Sequence, residues 1–235
     1  MTGQGVTGTG ETTLLPWEQV TVGCGLTLHA PATLRLDPAR LKAEFAALDA
    51  AIPDRARTHY GAQAGTGWTA IPLALPARQP GRGLELLPAL DHMPLVRDLL
   101  GTPGWAVRSA NLLRQPARGC LAWHYDNEAL HLDCVRLLVP IHAPAGATTR
   151  IGHERAAYAE GQAWTGDFSF PHQVENATPA DRVVLAVDMA STPTLRALFP
   201  PALSAEVDRR RALAAEAVNS LLGWWAAGNR SPGQA

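Results

Sequence analysis

The apolar positions of the chain fall into three textures. In "LDPARLKAEFAAL" they recur at helical spacing, with Leu41, Phe45 and Leu48 on one face behind an N-cap candidate at Asp37 and Pro38 at the first helical position. The spacing predicts a helix over 38 to 50. "HMPLVRDLLG" predicts a second, short helix ending at Gly101. Residues 51 to 90, rich in Pro and Gly, give little regular signal. From Trp105 the texture becomes that of short β-type runs broken by Gly, Pro and Asn: "WAVRSANLLR", "CLAWHYD", "VRLLVPIH", "ATTRI", "QAW", "HQVEN" and "RVVLAVDM". Many short strands at this spacing predict an antiparallel sandwich or barrel. Helical period returns between Pro201 and Gly228, with Leu203, Val207, Leu213, Ala217 and Leu221 on one stripe.

The fold class expected is therefore mainly β with flanking helices. No internal repeat and no linker long enough to divide the chain is evident. Residues 1–14, Gly/Thr-rich, are expected to form a mobile N-terminus, 15–200 a single domain with N-terminal helices, and 201–230 a C-terminal helix on or beside the core.

Composition narrows the function classes. A net charge of −1 over 235 residues leaves no electrostatic footprint for nucleic acid or anionic lipid. No apolar run reaches the length of a membrane span. Three cysteines, Cys24, Cys120 and Cys134, are an odd number, and no charged-then-apolar leader is evident, so a disulfide framework is not expected. The expectation is a cytoplasmic protein acting on a small molecule, with no nucleic-acid or membrane partner.

The candidate chemistry lies in "LAWHYDNEALHLDC", residues 121 to 134, which packs two histidines, three acids and a cysteine into one stretch. In a strand, residues i and i+2 share a face, so His-x-Asp at His124 and Asp126 places an imidazole beside a carboxylate. Tyr125 would then face the other way and pack. Two such ligands leave a metal ion undersaturated, and His172 in "FSFPHQVEN" is the best third candidate. Two histidines and one carboxylate with the remaining positions open form the facial triad of non-heme Fe(II) oxygenases; structural zinc would want a fourth ligand and more sulfur. Glu128, His131 and Asp133 read as a polar loop, with substrate contacts at the barrel mouth the other possibility.

Two arginines interrupt apolar strands. Arg182 opens "RVVLAVDM" and Arg136 sits in "CVRLLVPI"; a buried guanidinium needs an anion. An internal acid such as Asp188 would satisfy one of them as a structural pair, and a dicarboxylic co-substrate would satisfy either or both. Asn111 and Arg114, on the strand before His124, and the nearby Arg118 are candidates for substrate contact. Arg209, Arg210 and Arg211 read as a solvated helix face.

The order of "WHYDN", "VRLLVPI", "GQAW", "FPHQVEN" and "DRVVLAVD" resembles the Fe(II)/2-oxoglutarate-dependent dioxygenases, and within them the aspartyl/asparaginyl β-hydroxylase family with its proline hydroxylase-like members. The resemblance covers roughly residues 105 to 190. It implies a double-stranded β-helix (jelly-roll, cupin-like) core, with His124, Asp126 and His172 on iron and Arg182 on the distal carboxylate of 2-oxoglutarate. It places Arg136 on a co-substrate carboxylate or in its pocket. The activity implied is hydroxylation, or another C–H oxidation, with Fe(II), 2-oxoglutarate and O2. The peptide-modifying relatives lack the acid that Asp126 supplies and carry a histidine where this chain has Leu138. That favours a small amino acid or an amino-acid-derived metabolite, its carboxylate met by Arg114 or Arg118. Two alternatives stay open: a cupin-type iron enzyme without 2-oxoglutarate, and a non-catalytic metal or small-molecule-binding barrel.

Overall fold

The computed structural model describes residues 14–53, 57–60, 68–77 and 83–229. The expected mobile terminus lies, but for residue 14, outside the described residues. In chain order the elements are α1 (Pro16–Thr21), β1 (His29–Arg35), α2 (Pro38–Ala51), β2 (Thr58–Tyr60), β3 (Trp68–Pro76), β4 (Leu84–Leu86), α3 (Pro94–Leu100) and β5 (Val107–Gln115). There follow β6 (Cys120–His124), β7 (Cys134–His142), β8 (Ala147–Ile151), β9 (Glu154–Ala156), β10 (Gln162–Gly166), β11 (His172–Asn176) and β12 (Arg182–Ala190). Two helices, α4 (Pro193–Arg196) and α5 (Val207–Ala226), close the described chain.

The helix predicted over 38 to 50 is α2. The Asp37 carboxylate accepts from the backbone N of Ala39 and Arg40, so donors the helix leaves unmatched are satisfied where the sequence places the cap. Each β-type run after Trp105 becomes a strand. The Pro/Gly-rich segment holds β2, β3 and β4, which its composition hides. β3 carries two prolines, tolerated because Pro72 sits where the register of β3 on β5 slips and Pro76 ends the strand.

The strands form two antiparallel sheets, the two walls of a double-stranded β-helix. The large sheet runs β1-β10-β7-β12-β5-β3-β2, with β4 added beside β3; the small sheet runs β6-β11-β8-β9. Alternation along the central strands sorts their side chains. Val183, Leu185 and Val187 of β12, with Leu137 and Val139 of β7, pack in one cluster with Leu41 and Phe45 of α2 and Val96 of α3. The residues between them, Val184, Ala186 and Leu138, join Ile151 and Trp123 of the small sheet and Trp17, Ala217 and Leu221 of α1 and α5. Arg182 and Arg136 share the parity of this second set, so both face the small sheet.

Among the described residues no helix is long and apolar enough to cross a membrane. The three cysteines are free.

Candidate metal centre

His124 ends β6 and His172 begins β11, and the two are opposite one another in the small sheet. Their register slips immediately afterwards: Val174 pairs with Leu121, so three steps on β6 match two on β11. This extra residue breaks the strict alternation. It lets Leu121 and His124 line one cavity although they are three apart, while Trp123 between them is buried edge-on against Trp17 of α1.

Asp126 is not in the strand. β6 stops at His124, and Asp126 lies in the following loop, its backbone N donating to the Phe168 carbonyl at 2.9 Å. His124 and Asp126 therefore come together through the turn beyond the strand end, not through a shared strand face as expected. Tyr125 accordingly does not pack but is exposed. One ligand atom from each of His124, Asp126 and His172 falls within 4.8 Å of the others, and no other such group occurs among the described residues. Oδ2 of Asp126 is 3.7 Å from Nε2 of His172.

The hydrogen bonds fix the tautomers. Nδ1 of His124 lies 2.7 Å from the Ala122 carbonyl, and Nδ1 of His172 lies 3.1 Å from the Phe170 carbonyl. A carbonyl can only accept, so each Nδ1 carries a proton, and Nε2 is the nitrogen of each ring left to ligate. Burial, and then the neighbouring His124, hold the His172 imidazole well below its ordinary pKa. Imidazoles tied back through Nδ1, with Nε2 left to ligate beside a carboxylate, are what a divalent cation requires. The residues thus fit an iron ion by tautomer, charge and donor type.

A cavity of about 330 Å3 opens beside them, with His124, Asp126, Arg136 and Arg182 on its polar side and Trp68, Leu113, Leu121 and Val174 as its apolar wall. The two arginines differ. Arg182, opposite Gln115 of β5 in register, has one side-chain hydrogen bond, Nη2 to Oγ1 of Thr149 at 3.4 Å, and no carboxylate partner among the described residues. Burial without an anion lowers its pKa to about 10, so it remains charged at neutral pH. Arg136 is shared among three acids: Asp188 and Glu128 at 2.8 Å each and Asp126 at 3.2 Å. These acids raise its pKa against the opposing effect of burial. Of the two places expected for Arg136, on a co-substrate carboxylate or in its pocket, the structure has it lining the cavity, with its guanidinium taken up by Asp188, as an internal pair would have it, and also by Glu128 and Asp126.

The substrate candidates separate. Arg114 lines the cavity but its guanidinium is bound by Asp181 at 2.7 Å and Asp49 of α2 at 3.2 Å. Asn111 has the inward parity of Leu113 without lining the cavity. Arg118 is exposed, in a turn with φ of 57°, and borders a different hollow with Cys120 and Arg150; it is not at the site.

Two further residues depart from expectation. His131 is buried against Asp167, its Nδ1 3.6 Å from Oδ2, not in a solvated loop. Arg210 is fully buried on α5, donating to Asp167 at 3.1 Å and to the carbonyls of Thr27, Ala202 and Ala205. Three consecutive arginines give no hint that the middle one turns inward.

A family model described as aspartyl/asparaginyl β-hydroxylase matches residues 37–192. No curated protein sequence matches the chain. Several solved structures are similar to it. An oxidoreductase of the 2OG-Fe(II) oxygenase family from Burkholderia pseudomallei is 16% identical, over 63% of this chain and 78% of that one, with a TM-score of 0.47. AviO1 from Streptomyces viridochromogenes Tue57 is 14% identical, over 75% and 93%, with a TM-score of 0.46. The viral collagen prolyl hydroxylase of Paramecium Bursaria Chlorella virus-1 is 11% identical, over 69% and 94%, with a TM-score of 0.40.

Proposed function

The chain belongs to the aspartyl/asparaginyl β-hydroxylase family, a family of 2-oxoglutarate-dependent dioxygenases, and from that premise we propose that it hydroxylates a C–H bond of a small amino acid or an amino-acid-derived metabolite. The observation that carries this reading is the meeting, in one cavity, of a His–Asp–His group with an arginine that has no anionic partner among the described residues. A cupin-type enzyme without a dicarboxylic co-substrate would have no use for such a cation.

In this reading His124, Asp126 and His172 hold Fe(II). When bound, iron supplies, with 2-oxoglutarate and O2, the oxidising chemistry: decarboxylation of the co-substrate to succinate and transfer of one oxygen atom to the substrate. The chain's own residues do the rest. The two Nδ1–H groups, donated to Ala122 and Phe170, keep both imidazoles turned toward the ion. The Arg182 fork takes the distal carboxylate of 2-oxoglutarate in a charge-assisted pair, with the Thr149 hydroxyl beside it. Trp68, Leu113, Leu121 and Val174 exclude water and hold the hydrocarbon part of the substrate, which determines which C–H comes within reach. A cavity of about 330 Å3 suits a compact molecule. Arg114, at its edge, is the remaining candidate for a substrate carboxylate; Asn111 and Arg118 are set aside, being off the cavity.

The test is incubation with Fe(II), 2-oxoglutarate and ascorbate and a panel of free amino acids and related metabolites, followed by mass spectrometry. Substrate-dependent succinate release with the gain of one oxygen on a small amino acid is expected. Oxidation of a protein or lipid alone, with every free amino acid untouched, refutes the substrate class.

A further inference from the structure

A metal ligand on a loop needs something to hold it. Asp126 lies beyond the end of β6, and its side chain is about a third exposed. What holds its carboxylate is Arg136: Nη1 donates at 3.2 Å to Oδ2, the same oxygen that faces Nε2 of His172 at 3.7 Å. Arg136 is itself fixed from behind. It lies opposite Asp188 across β7 and β12, and the Asp188 carboxylate takes Nε at 2.8 Å and Nη2 at 3.3 Å in a fork. Oγ of Ser109 on β5 donates to Oδ2 of Asp188 at 3.0 Å. Nη2 also reaches Glu128 at 2.8 Å, so the loop is gripped at two points two residues apart.

We infer that Arg136, anchored by Asp188 and Ser109, is a positioning residue that holds Asp126 in its metal-binding orientation. The inference rests on the proposed reading of His124, Asp126 and His172 as iron ligands. Three central strands of the large sheet contribute to the chain Ser109–Asp188–Arg136, and this rigid element carries the only side-chain cation on Asp126 among the described residues. The donors of the guanidinium are all directed to Asp126, Glu128 and Asp188, so it grips the ligand's loop and does not offer a free fork to a co-substrate. An outer partner that orients a ligating group is generally worth on the order of 10–100-fold in metal affinity.

The experiment is calorimetric titration of the full chain with Co(II), without oxygen or co-substrate. It is run on wild type, Arg136→Leu, Arg136→Lys and Asp188→Asn, and on Arg136→Leu in an Asp126→Ala background, with thermal melting alongside. Arg136→Leu is expected to weaken Co(II) binding by about 10–100-fold. Arg136→Lys should recover part of it, and Asp188→Asn should weaken it in the same direction by less. In the Asp126→Ala background Arg136→Leu should change affinity little further, because its effect passes through that carboxylate; a merely structural role would lower affinity in both backgrounds. Should Arg136→Leu fail to fold, Asp188→Asn, which keeps the guanidinium, decides by itself. Wild-type Co(II) affinity in both Arg136→Leu and Asp188→Asn, or an equal loss with and without Asp126, overturns the inference. No Co(II) binding by the wild type overturns the iron reading itself, and the inference with it.

Discussion

Arg182 spans the barrel from the large sheet to Thr149 of the small one, and that 3.4 Å contact is its one side-chain hydrogen bond among the described residues. A guanidinium so placed costs the fold stability until an anion arrives, because part of its hydration is lost and no carboxylate among the described residues replaces it. Function and stability therefore pull in opposite directions here. Arg182→Ala is expected to weaken 2-oxoglutarate binding by about 2–5 kcal/mol, the usual effect of losing one partner of a desolvated charge pair. Arg182→Lys should restore little of it, since an ammonium cannot reproduce the fork. Calorimetric titration with 2-oxoglutarate in the presence of Co(II) measures both. Wild-type affinity in Arg182→Ala would favour an iron enzyme without that co-substrate.

The same cation gives a second expectation. Arg182→Met keeps the bulk and removes the charge, so the ligand-free variant should melt higher than wild type, by on the order of 1 kcal/mol or a few degrees. Conversely, 2-oxoglutarate should raise the melting temperature of wild type and leave that of Arg182→Met nearly unmoved. A lower melting temperature for ligand-free Arg182→Met would mean that the charge is already satisfied.

His172→Ala and His124→Ala should each abolish tight metal binding while the chain stays folded, because the two sheets are joined by the apolar cluster of Trp17, Trp123, Ile151, Leu138 and Val184, which each variant leaves in place. Titration with Co(II) and a melting curve on the same samples separate loss of the ion from loss of the fold. Undiminished metal binding in His172→Ala would remove it from the ligand set.

Arg210→Met should destabilise the protein by about 3–5 kcal/mol, since it leaves the buried Asp167 carboxylate without its cation and empties three carbonyl contacts. Urea unfolding measures the change. Neighbouring Arg211, which is exposed, should tolerate Ala with a change below about 0.5 kcal/mol.

His131 bears on acid stability. Burial, with Arg210 and Arg211 adding to it and Asp167 opposing, holds its pKa below the ordinary 6.5. As pH falls below 6.5 the unfolded imidazole takes up a proton that the folded one refuses, so the unfolded state gains and stability falls. The slope from this one group is at most about 1.4 kcal/mol per pH unit. His131→Asn should flatten the stability curve between pH 6.5 and 5 by up to that amount while leaving its shape above pH 7 unchanged. An unaltered acid limb would show that His131 is protonated in the folded protein.

The parts of the fold that the sequence made legible are those fixed by local physics. Asp37 and Pro38 mark the start of α2 because a cap and a fixed φ act within one turn. The runs from Val107 to Ala190 become strands because alternation and β-branched residues act between neighbours. β3 escaped because its flanks are Pro- and Gly-rich and its pairing with β5 is 41 positions away (112 − 71), Ile71 against Leu112. At the site, the anomaly of an arginine in an apolar strand pointed to both Arg136 and Arg182, but only three dimensions distinguish them. The acids on Arg136 come from 10 and 8 residues before it and 52 after it, while Arg182 finds none among the described residues. The inward turn of Arg210 is set by where α5 lies on the barrel, which no local pattern encodes.

The clamp between Arg210 and Asp167 also orders events during synthesis. Every strand of both sheets has left the ribosome once Ala190 emerges, yet Asp167, buried beside His131, still lacks its counter-charge. The cation that neutralises it is Arg210, 20 positions beyond Ala190 (210 − 190), which at about 5–20 residues per second is a wait of roughly 1–4 s. A barrel that closed within that interval would carry the Asp167 carboxylate without its cation and be open to competing contacts. α5 thus acts as a latch, closing with Arg210 a charge left open in the middle of the sequence.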